Sequence, residues 1–157
     1  MPRPMLATLV AALACTATLA ACGGDDDATT TAATLGDAEL VAQADAICKR
    51  FEARAKAVPE PRDVADATDA ARYFGAVAPL ARGQQTALEA LAPAASLQAR
   101  YDAFLAASRR GTELLETLAR KAAARDASGM QQLGQLEPLS QAIDAAADRV
   151  GLRSCSP

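Results

Sequence analysis

The chain has 157 residues, of which 51% are hydrophobic and 3% aromatic, and its formal net charge at pH 7 is −3. This length accommodates one domain with short extensions, and the small acidic charge, with no basic patch containing aromatic residues, argues against nucleic-acid binding. The sequence contains no histidine, which removes most hydrolytic dyads and most zinc sites. Alanine, the strongest helix former, is abundant and β-branched residues are few, so the composition predicts an all-α fold.

The amino-terminal segment, residues 1–21, is MPRPMLATLVAALACTATLAA, with a single charge near its start. A membrane-spanning helix needs about 20 apolar residues. This run is slightly short and ends in small residues, so it fits a secretory signal peptide better than a membrane span or a core helix. It closes with Leu19-Ala20-Ala21-Cys22, which resembles the lipobox of bacterial lipoproteins. The resemblance implies that the sulfur of Cys22 receives a diacylglyceryl group and that the signal peptide is cut just before it.

A polar stretch, CGGDDDATTTAATLG, occupies residues 22–36. It buries too little apolar surface to fold, and a flexible tether of this length spans roughly 20 Å. Its aspartates could instead form a calcium site, but we interpret them as part of a solvated linker. Two acyl chains on Cys22 are sufficient for stable anchoring. We therefore expect a lipid-anchored protein on the extracytoplasmic side of the cell membrane, with a folded domain over residues 37–157.

The cysteines of the chain are Cys15, Cys22, Cys48 and Cys155. The first leaves with the signal peptide and the second is acylated, so the last two remain in an oxidising compartment with a single pairing available. We predict a disulfide between Cys48 and Cys155, which closes a loop of about a hundred residues and stabilises by ~4.7 kcal/mol in the chain-entropy model. The alternative, a redox-active pair, would use the close Cys-x-x-Cys spacing.

Apolar residues recur every three or four positions in four stretches of the domain, which predicts four helices. The predicted helices run from Asp37 to about Val58, from Asp63 or Thr68 to about Leu91, from a cap at Ser96 to about Arg125, and from a cap at Ser128 to about Val150. Short connections between helices favour an antiparallel, up-down-up-down four-helix bundle. The sequence therefore predicts an all-α bundle that is cross-linked by one disulfide.

Three residues are expected to shape these helices. Pro79 should kink the second helix and Pro138 should interrupt the fourth, because a proline inside a helix removes a hydrogen bond, whereas Gly151 is placed to end the fourth. In an antiparallel bundle Cys155 meets Cys48 only if the tail folds back along the first helix or the fourth helix packs low.

No catalytic motif stands out, and we predict no catalytic residue, metal site or cofactor. A nucleophile would need a lysine base, and Lys49, Lys56 and Lys121 have charged neighbours typical of solvated helix faces. The basic pairs at 109–110 and 120–121 could bind an anion, but they are typical of solubilising charge. We therefore expect that the protein is not an enzyme.

Tyr73, Tyr101 and Met130 are of the types that can ligate haem iron. At helical spacing, however, tyrosine and methionine are usually core residues, and that is the interpretation we favour.

The folded part resembles small, alanine-rich helical lipoproteins of unknown function from high-GC Gram-positive bacteria. The resemblance lies in the ADAIC segment at residues 44–48 and in the closing VGLRSC segment at residues 150–155. It covers the outer two helices. It implies a disulfide-stapled bundle and no particular activity.

Two functional hypotheses follow from this sequence. The first is a non-enzymatic interaction or structural protein of the cell envelope, and small core alanines favour it because they let helices close up on one another. The second is a carrier or sensor of a small apolar ligand, such as a lipid or haem, bound between helices. Pro79 and Pro138 favour this alternative, because kinked helices can leave a cavity.

Replacing Cys22 with serine tests the lipobox prediction. We expect the precursor to stay uncut and unlipidated, because serine offers no sulfur for the diacylglyceryl group. Metabolic labelling with a radioactive fatty acid and the mass of the membrane-bound protein measure the two effects. Normal lipid labelling of the variant would overturn the prediction.

Overall fold

The structure, a computed structural model, describes residues 34–155, so the lipobox, Cys22 and most of the tether lie outside the described residues. The described part is an all-helical bundle. Its elements are α1 (Asp37–Lys56), α2 (Ala67–Glu89), α3 (Ala95–Ala123), a 3-10 helix η1 (Ala127–Gln135) and α4 (Leu136–Val150). The only β-type pairing within residues 34–155 is an isolated bridge between Leu35 and Pro93. The prediction of an all-α fold is thus confirmed.

α1 begins at Asp37 as expected, whereas α3 begins at Ala95, one residue before the predicted cap Ser96. Gly36 and Ala94 occupy the N-cap positions of α1 and α3, and neither cap has a side-chain hydrogen bond. Ser96 lies inside α3 instead, where its hydroxyl donates to the Asp37 carboxylate at 2.8 Å. Asp66 caps α2 by accepting from the backbone amides of its second and third residues, as an N-cap aspartate commonly does.

The fourth predicted helix is divided into η1 and α4. Asp126, rather than Ser128, caps η1, and its carboxylate accepts the Ser128 amide at 2.9 Å. Pro138 lies in the first turn of α4, where a backbone N–H would have no partner inside the helix. The expected interruption at Pro138 is therefore wrong, because the α-helix starts only two residues before it. Pro79 lies within α2, which continues through it as one helix.

Buried side chains form two clusters. The larger one joins the first half of α1 to α3 and the end of α4, through Leu40, Ala44, Leu88, Tyr101, Phe104, Ala147 and Leu152 among others. The smaller one joins the start of α2 to the second half of α3, through Ala70, Phe74, Leu114 and Leu118. The domain therefore has a core at each end of the bundle.

The tail after α4 folds back onto α1. Gly151 ends α4 in the left-handed conformation, with φ of 93°, which glycine adopts without strain. The Asp45 carboxylate on α1 then accepts the backbone amides of Arg153 and Ser154, each at 2.9 Å. Beyond them the sulfurs of Cys48 and Cys155 lie 2.06 Å apart, at the distance of a disulfide. The folded tail is what brings these two cysteines together.

The start of α1 is fastened to the α2–α3 connection. The Leu35 amide donates to the Ala92 carbonyl at 2.8 Å, and the Ala94 amide donates to the Leu35 carbonyl at 3.1 Å. Because Leu35 immediately precedes α1, these bonds place the root of the predicted tether beside the start of α3.

Replacing both Cys48 and Cys155 with alanine should lower the free energy of unfolding by about 2–5 kcal/mol, since the cross-link constrains a long loop in the unfolded chain. Urea unfolding followed by circular dichroism measures the difference. The wild-type protein under a reducing agent serves as the matched control and should unfold at the urea concentration of the double variant. Equal stability with and without the cysteines would contradict the prediction.

Candidate functional site

The apolar stripe of α1 is buried only along the first half of the helix. Its buried residues are Leu40, Ala44, Ile47 and Cys48. The same stripe continues through Phe51, Ala55 and Val58, but these side chains stay partly exposed. They line one wall of a cleft of about 570 Å³. The second half of α1 therefore presents apolar side chains to a space that no other element of the described chain fills.

The opposite walls of the cleft come from the other three α-helices. The lining includes Tyr73 and Ala81 of α2, Ser108, Gly111 and Leu115 of α3, and Leu136, Leu139 and Ile143 of α4. At Gly111 the helices approach closely, because a Cβ atom there would lie 3.0 Å from the Ile143 side chain. The sequence alone did not single out Gly111, since its role depends on which helix packs opposite it.

The two ends of the cleft differ. At one end the lining residues Cys48, Ala81, Phe104 and Cys155 are each at most 8% exposed, and the Gln84 side-chain amide donates to the Cys48 sulfur at 3.2 Å. At the other end the lining includes the exposed side chains of Glu52, Lys56 and Glu60. The cleft is thus closed and apolar at the disulfide and open and charged at the end of α1.

The volume of the cleft is that of a small-molecule site. Ligand pockets in proteins are typically about 300–1,000 Å³ and mostly apolar, with a few polar groups. The uncharged polar side chains of its walls are those of Tyr73, Gln84, Ser108, Thr112, Ser140 and Ser154. The Gln84 amide and the Thr112 hydroxyl already donate within the protein, the latter to the Ser108 carbonyl at 3.2 Å. The arrangement suits an apolar molecule that makes few hydrogen bonds.

The structure separates the residues considered as haem ligands. Tyr101 is fully buried in the larger core cluster, and its hydroxyl donates to the Leu88 carbonyl at 2.8 Å. Burial raises the pKa of this phenol above its usual value. Tyr73 lines the cleft, and the Met130 side chain lies outside the described part of the structure. Tyr101 is thus a core residue whose oxygen is already engaged.

A serine–lysine contact occurs at the start of η1. The Lys121 ammonium donates to the Ser128 hydroxyl at 2.5 Å and to the Asp126 carboxylate at 3.2 Å. Hydrogen bonds from the Ser128 backbone and hydroxyl, and then from Lys121, hold the pKa of Asp126 below its usual value. A lysine acting as base needs a neutral amine, whereas here its charge is paired with Asp126. The contact is therefore explained as part of the cap that joins α3 to η1.

Ion pairs join α2 to α3, and one of them includes Arg109 of the basic pair at 109–110. Arg109 contacts Glu89 of α2 at 2.8 Å, and Arg82 of α2 contacts Glu116 of α3 at 2.5 Å. Hydrogen bonds from Gln85 and Arg109 hold the pKa of Glu89 below its usual value. The sequence did not indicate these pairs, because their partners lie 20 or more residues away and are brought together only by helix packing.

Two further depressions are present. One, of about 130 Å³, lies under Val64 and reaches Phe74, Leu118 and Leu133. The other is an open groove of about 560 Å³ with a polar lining that includes Arg110, Glu113 and Gln132. The first is too small for most ligands, and the second lacks the apolar enclosure of the cleft beside α1.

Within residues 34–155 no cluster of three or more cysteine, aspartate or glutamate side chains is arranged to hold a metal ion. None of the helices described there combines the length and the hydropathy that crossing a bilayer requires.

No protein-family model, curated protein sequence or solved structure matches this chain significantly.

Replacing Tyr101 with phenylalanine should lower the free energy of unfolding by about 1 kcal/mol at pH 7, since one buried hydrogen bond is lost. The difference in free energy of unfolding between the wild type and the variant should become smaller at high pH. The native state holds the phenolic proton more tightly than the unfolded state, whose pKa is near 10.0. The wild type is therefore fully stabilised below pH 10 and loses up to about 1.4 kcal/mol per pH unit above it.

Urea unfolding of both proteins between neutral pH and pH 11 measures this effect. Tyr73→Phe is the matched control, because it removes a phenol from the partly exposed cleft wall. If the wild type and Tyr101→Phe differ in free energy of unfolding by the same amount at every pH from neutral to 11, the prediction for the buried Tyr101 phenol is contradicted.

Proposed function

We propose that this protein is a membrane-anchored extracytoplasmic lipoprotein whose helical domain binds a small apolar ligand in the cleft beside α1. The observation that carries the proposal is the unfilled apolar stripe, in which Phe51, Ala55 and Val58 line the cleft rather than entering a core. Covering such surface is favourable by about 25 cal/mol per Å². A ligand bound in the cleft would be stabilised by covering these apolar side chains, which the packing of the chain itself leaves partly uncovered.

The proposed anchoring is supported by the sequence of residues 19–22, Leu-Ala-Ala-Cys, and by the polar stretch after it. The acyl chains on Cys22 would hold the protein at the membrane, and the Cys48–Cys155 pair suits an oxidising extracytoplasmic compartment. Neither feature requires a catalytic role, so the proposal is of a non-enzymatic protein with no resident metal or cofactor.

We further infer that the helices alternate in direction. Contacts near one end of the bundle support this topology, since Leu35 bonds to the α2–α3 connection and Ser96 of α3 bonds to Asp37 of α1. The Arg100 guanidinium also donates to the Arg149 carbonyl at 3.3 Å, which brings the end of α4 to the start of α3. An antiparallel four-helix bundle accounts for all three contacts.

A protein partner is the second candidate function. The observation that favours it is the partial exposure of Phe51, Leu115 and Leu139 along the same cleft. An amphipathic helix of another envelope protein could lay its apolar face there. Small-molecule binding is the stronger proposal because one end of the cleft is closed by the disulfide.

Native mass spectrometry of the full protein, taken gently from its own membrane and then denatured, tests the proposal. We expect an extra mass of small-molecule size that stays with the native protein and leaves on denaturation. The remaining mass should equal that of residues 22–157 plus acyl groups, minus two hydrogens for the disulfide. A bound mass of protein size would support the second candidate instead.

Two matched variants test whether the bound molecule occupies the cleft. Ala55→Phe fills the α1 wall, so the bound fraction should fall to about a tenth or less through steric exclusion. Ala53→Phe adds the same side chain at an exposed position of the same helix that does not line the cleft, and should retain the ligand. If neither the wild type nor Ala53→Phe carries any extra mass, and none forms on adding apolar probes, the proposed function is wrong.

A further inference from the structure

We infer that the ligand is an amphiphile with one unbranched alkyl or acyl chain and an uncharged or zwitterionic head group, which goes further than the proposed function and rests on it. The chain would lie along α1 with its methyl end at the disulfide and its head group at the open end. The shape, the polarity and the charge of the cleft each support one part of this inference.

The cleft is elongated along the helix axes. On α1 its lining runs from Cys48 to Lys56, with Val58 just beyond the helix, and on α3 it runs from Phe104 to Leu115. At a rise of about 1.5 Å per residue the two helical stretches are about 12 and 16 Å long. The lining side chains between them include small ones, Ala55, Ser108 and Gly111, so space is left along the length of the cleft. A single extended chain matches a long space of this kind.

The closed end suits the methyl end of such a chain. The buried residues Phe104 and Ala81 meet there with the sulfurs of Cys48 and Cys155. The Gln84 side-chain amide also lies at this end, but it already donates to the Cys48 sulfur. A charged or strongly polar group would therefore lose its hydration there with few partners to replace it. The polar end of an amphiphile is therefore directed to the opposite end, where lining side chains are exposed to solvent.

The open end selects the head group by charge. Its ionisable lining residues are Glu52, Lys56 and Glu60, two acids and one base. The Lys56 ammonium already contacts Glu52. The nearby Arg72 guanidinium donates to the Glu60 carbonyl but is paired with Asp69 at 3.6 Å, so one lining carboxylate remains in excess. This excess disfavours a free carboxylate head and accepts an uncharged or zwitterionic one. Because these side chains are exposed, the preference should be modest, within about fivefold.

A compact haem fits the same cleft poorly. Haem iron in proteins is held by histidine, cysteine thiolate, methionine or tyrosine. Among the residues that line the cleft, Tyr73 is the only free side chain of these types, since both lining cysteines lie at disulfide distance from each other. The linear amphiphile requires no such ligand.

The length of the cleft predicts which chain fills it. Carbon–carbon bonds of about 1.5 Å in an extended zigzag advance about 1.25 Å per carbon, so about a dozen carbons span the cleft. Each added methylene up to that length should tighten Kd by about fourfold. Further methylenes should add little, because they extend past the open end into water.

The test uses the full-length lipidated protein in nanodiscs, incubated with an equimolar mixture of octyl, decyl, dodecyl and tetradecyl phosphocholine below their micelle concentrations. Native mass spectrometry counts each complex in one spectrum. Ser108→Leu lengthens a side chain one turn from Phe104, near the closed end, and should move the best-bound chain from dodecyl to decyl or octyl. Ala106→Leu, at an exposed position of α3 that does not line the cleft, should keep the wild-type order.

Comparison between the two leucine variants cancels the unequal partition of the probes into the nanodisc. Separate incubations with tridecanoate, whose tail beyond the carboxylate also has twelve carbons, with haem and with aminoanthracene complete the design. Tridecanoate should bind up to about fivefold more weakly than dodecyl phosphocholine, and equal or tighter binding would overturn the head-group assignment.

Binding of haem or aminoanthracene without chain-length-dependent binding of the phosphocholines would overturn the linear chain while leaving the proposed function standing. Binding of none of the probes would overturn both. An unchanged chain-length order in Ser108→Leu would show that the chain does not reach the closed end, and would also overturn the inference.

Discussion

The attachment of the carboxyl-terminal tail to the middle of α1 is the constraint on which the rest of the domain depends. Asp45 accepts two tail amides, and Cys155 lies at disulfide distance from Cys48 about one turn further along α1. These contacts hold the first half of α1 against α3 and α4. The chain is next fastened just beyond α1, where the Arg72 guanidinium of α2 donates to the Pro59 and Glu60 carbonyls at 2.9 and 3.4 Å. The cleft opens along the part of α1 that lies between these two attachments.

The alanine-rich composition explains why the two core clusters do not merge. Alanine buries little area, so alanine-lined interfaces gain stability only where helices approach closely. Ala44 and Ala147 of the larger cluster are fully buried. Ala55, further along the same face of α1, stays partly exposed and lines the cleft, so the same small side chain leaves a space there.

The sequence predicted the features that depend on neighbouring residues along the chain. Helical periodicity located four helical regions to within a few residues at most of their ends, and the left-handed turn at Gly151 followed from its position after an apolar repeat. The division of the last region into η1 and α4 was missed, because residues 128–135 keep an apolar spacing that a 3-10 helix tolerates equally well. Asp126 competes with Ser128 as a cap, and the aspartate forms the bond.

The sequence did not predict the cleft, for a related reason. Periodicity showed that Phe51, Ala55 and Val58 share a face with Leu40 and Ala44, but a shared face does not determine whether a neighbour covers it. That depends on distances between helices, as do the ion pair of Arg109 with Glu89 and the close approach at Gly111. The cysteine pair was accessible to sequence reasoning because elimination left two residues and one pairing.

The position of Leu35 has a consequence for the proposed anchoring at Cys22. Leu35 lies at the start of α1, whereas Lys56, at the open end of the cleft, ends the same helix. A helix of 20 residues is about 30 Å long, which exceeds the roughly 20 Å expected of a flexible tether of the proposed length. In the proposed lipoprotein, the opening would therefore face away from the membrane when α1 stands upright, and would meet the headgroups only when the domain tips over. An upright domain would then exchange the proposed ligand with the space beyond the membrane, and a tipped one would exchange it with the lipid.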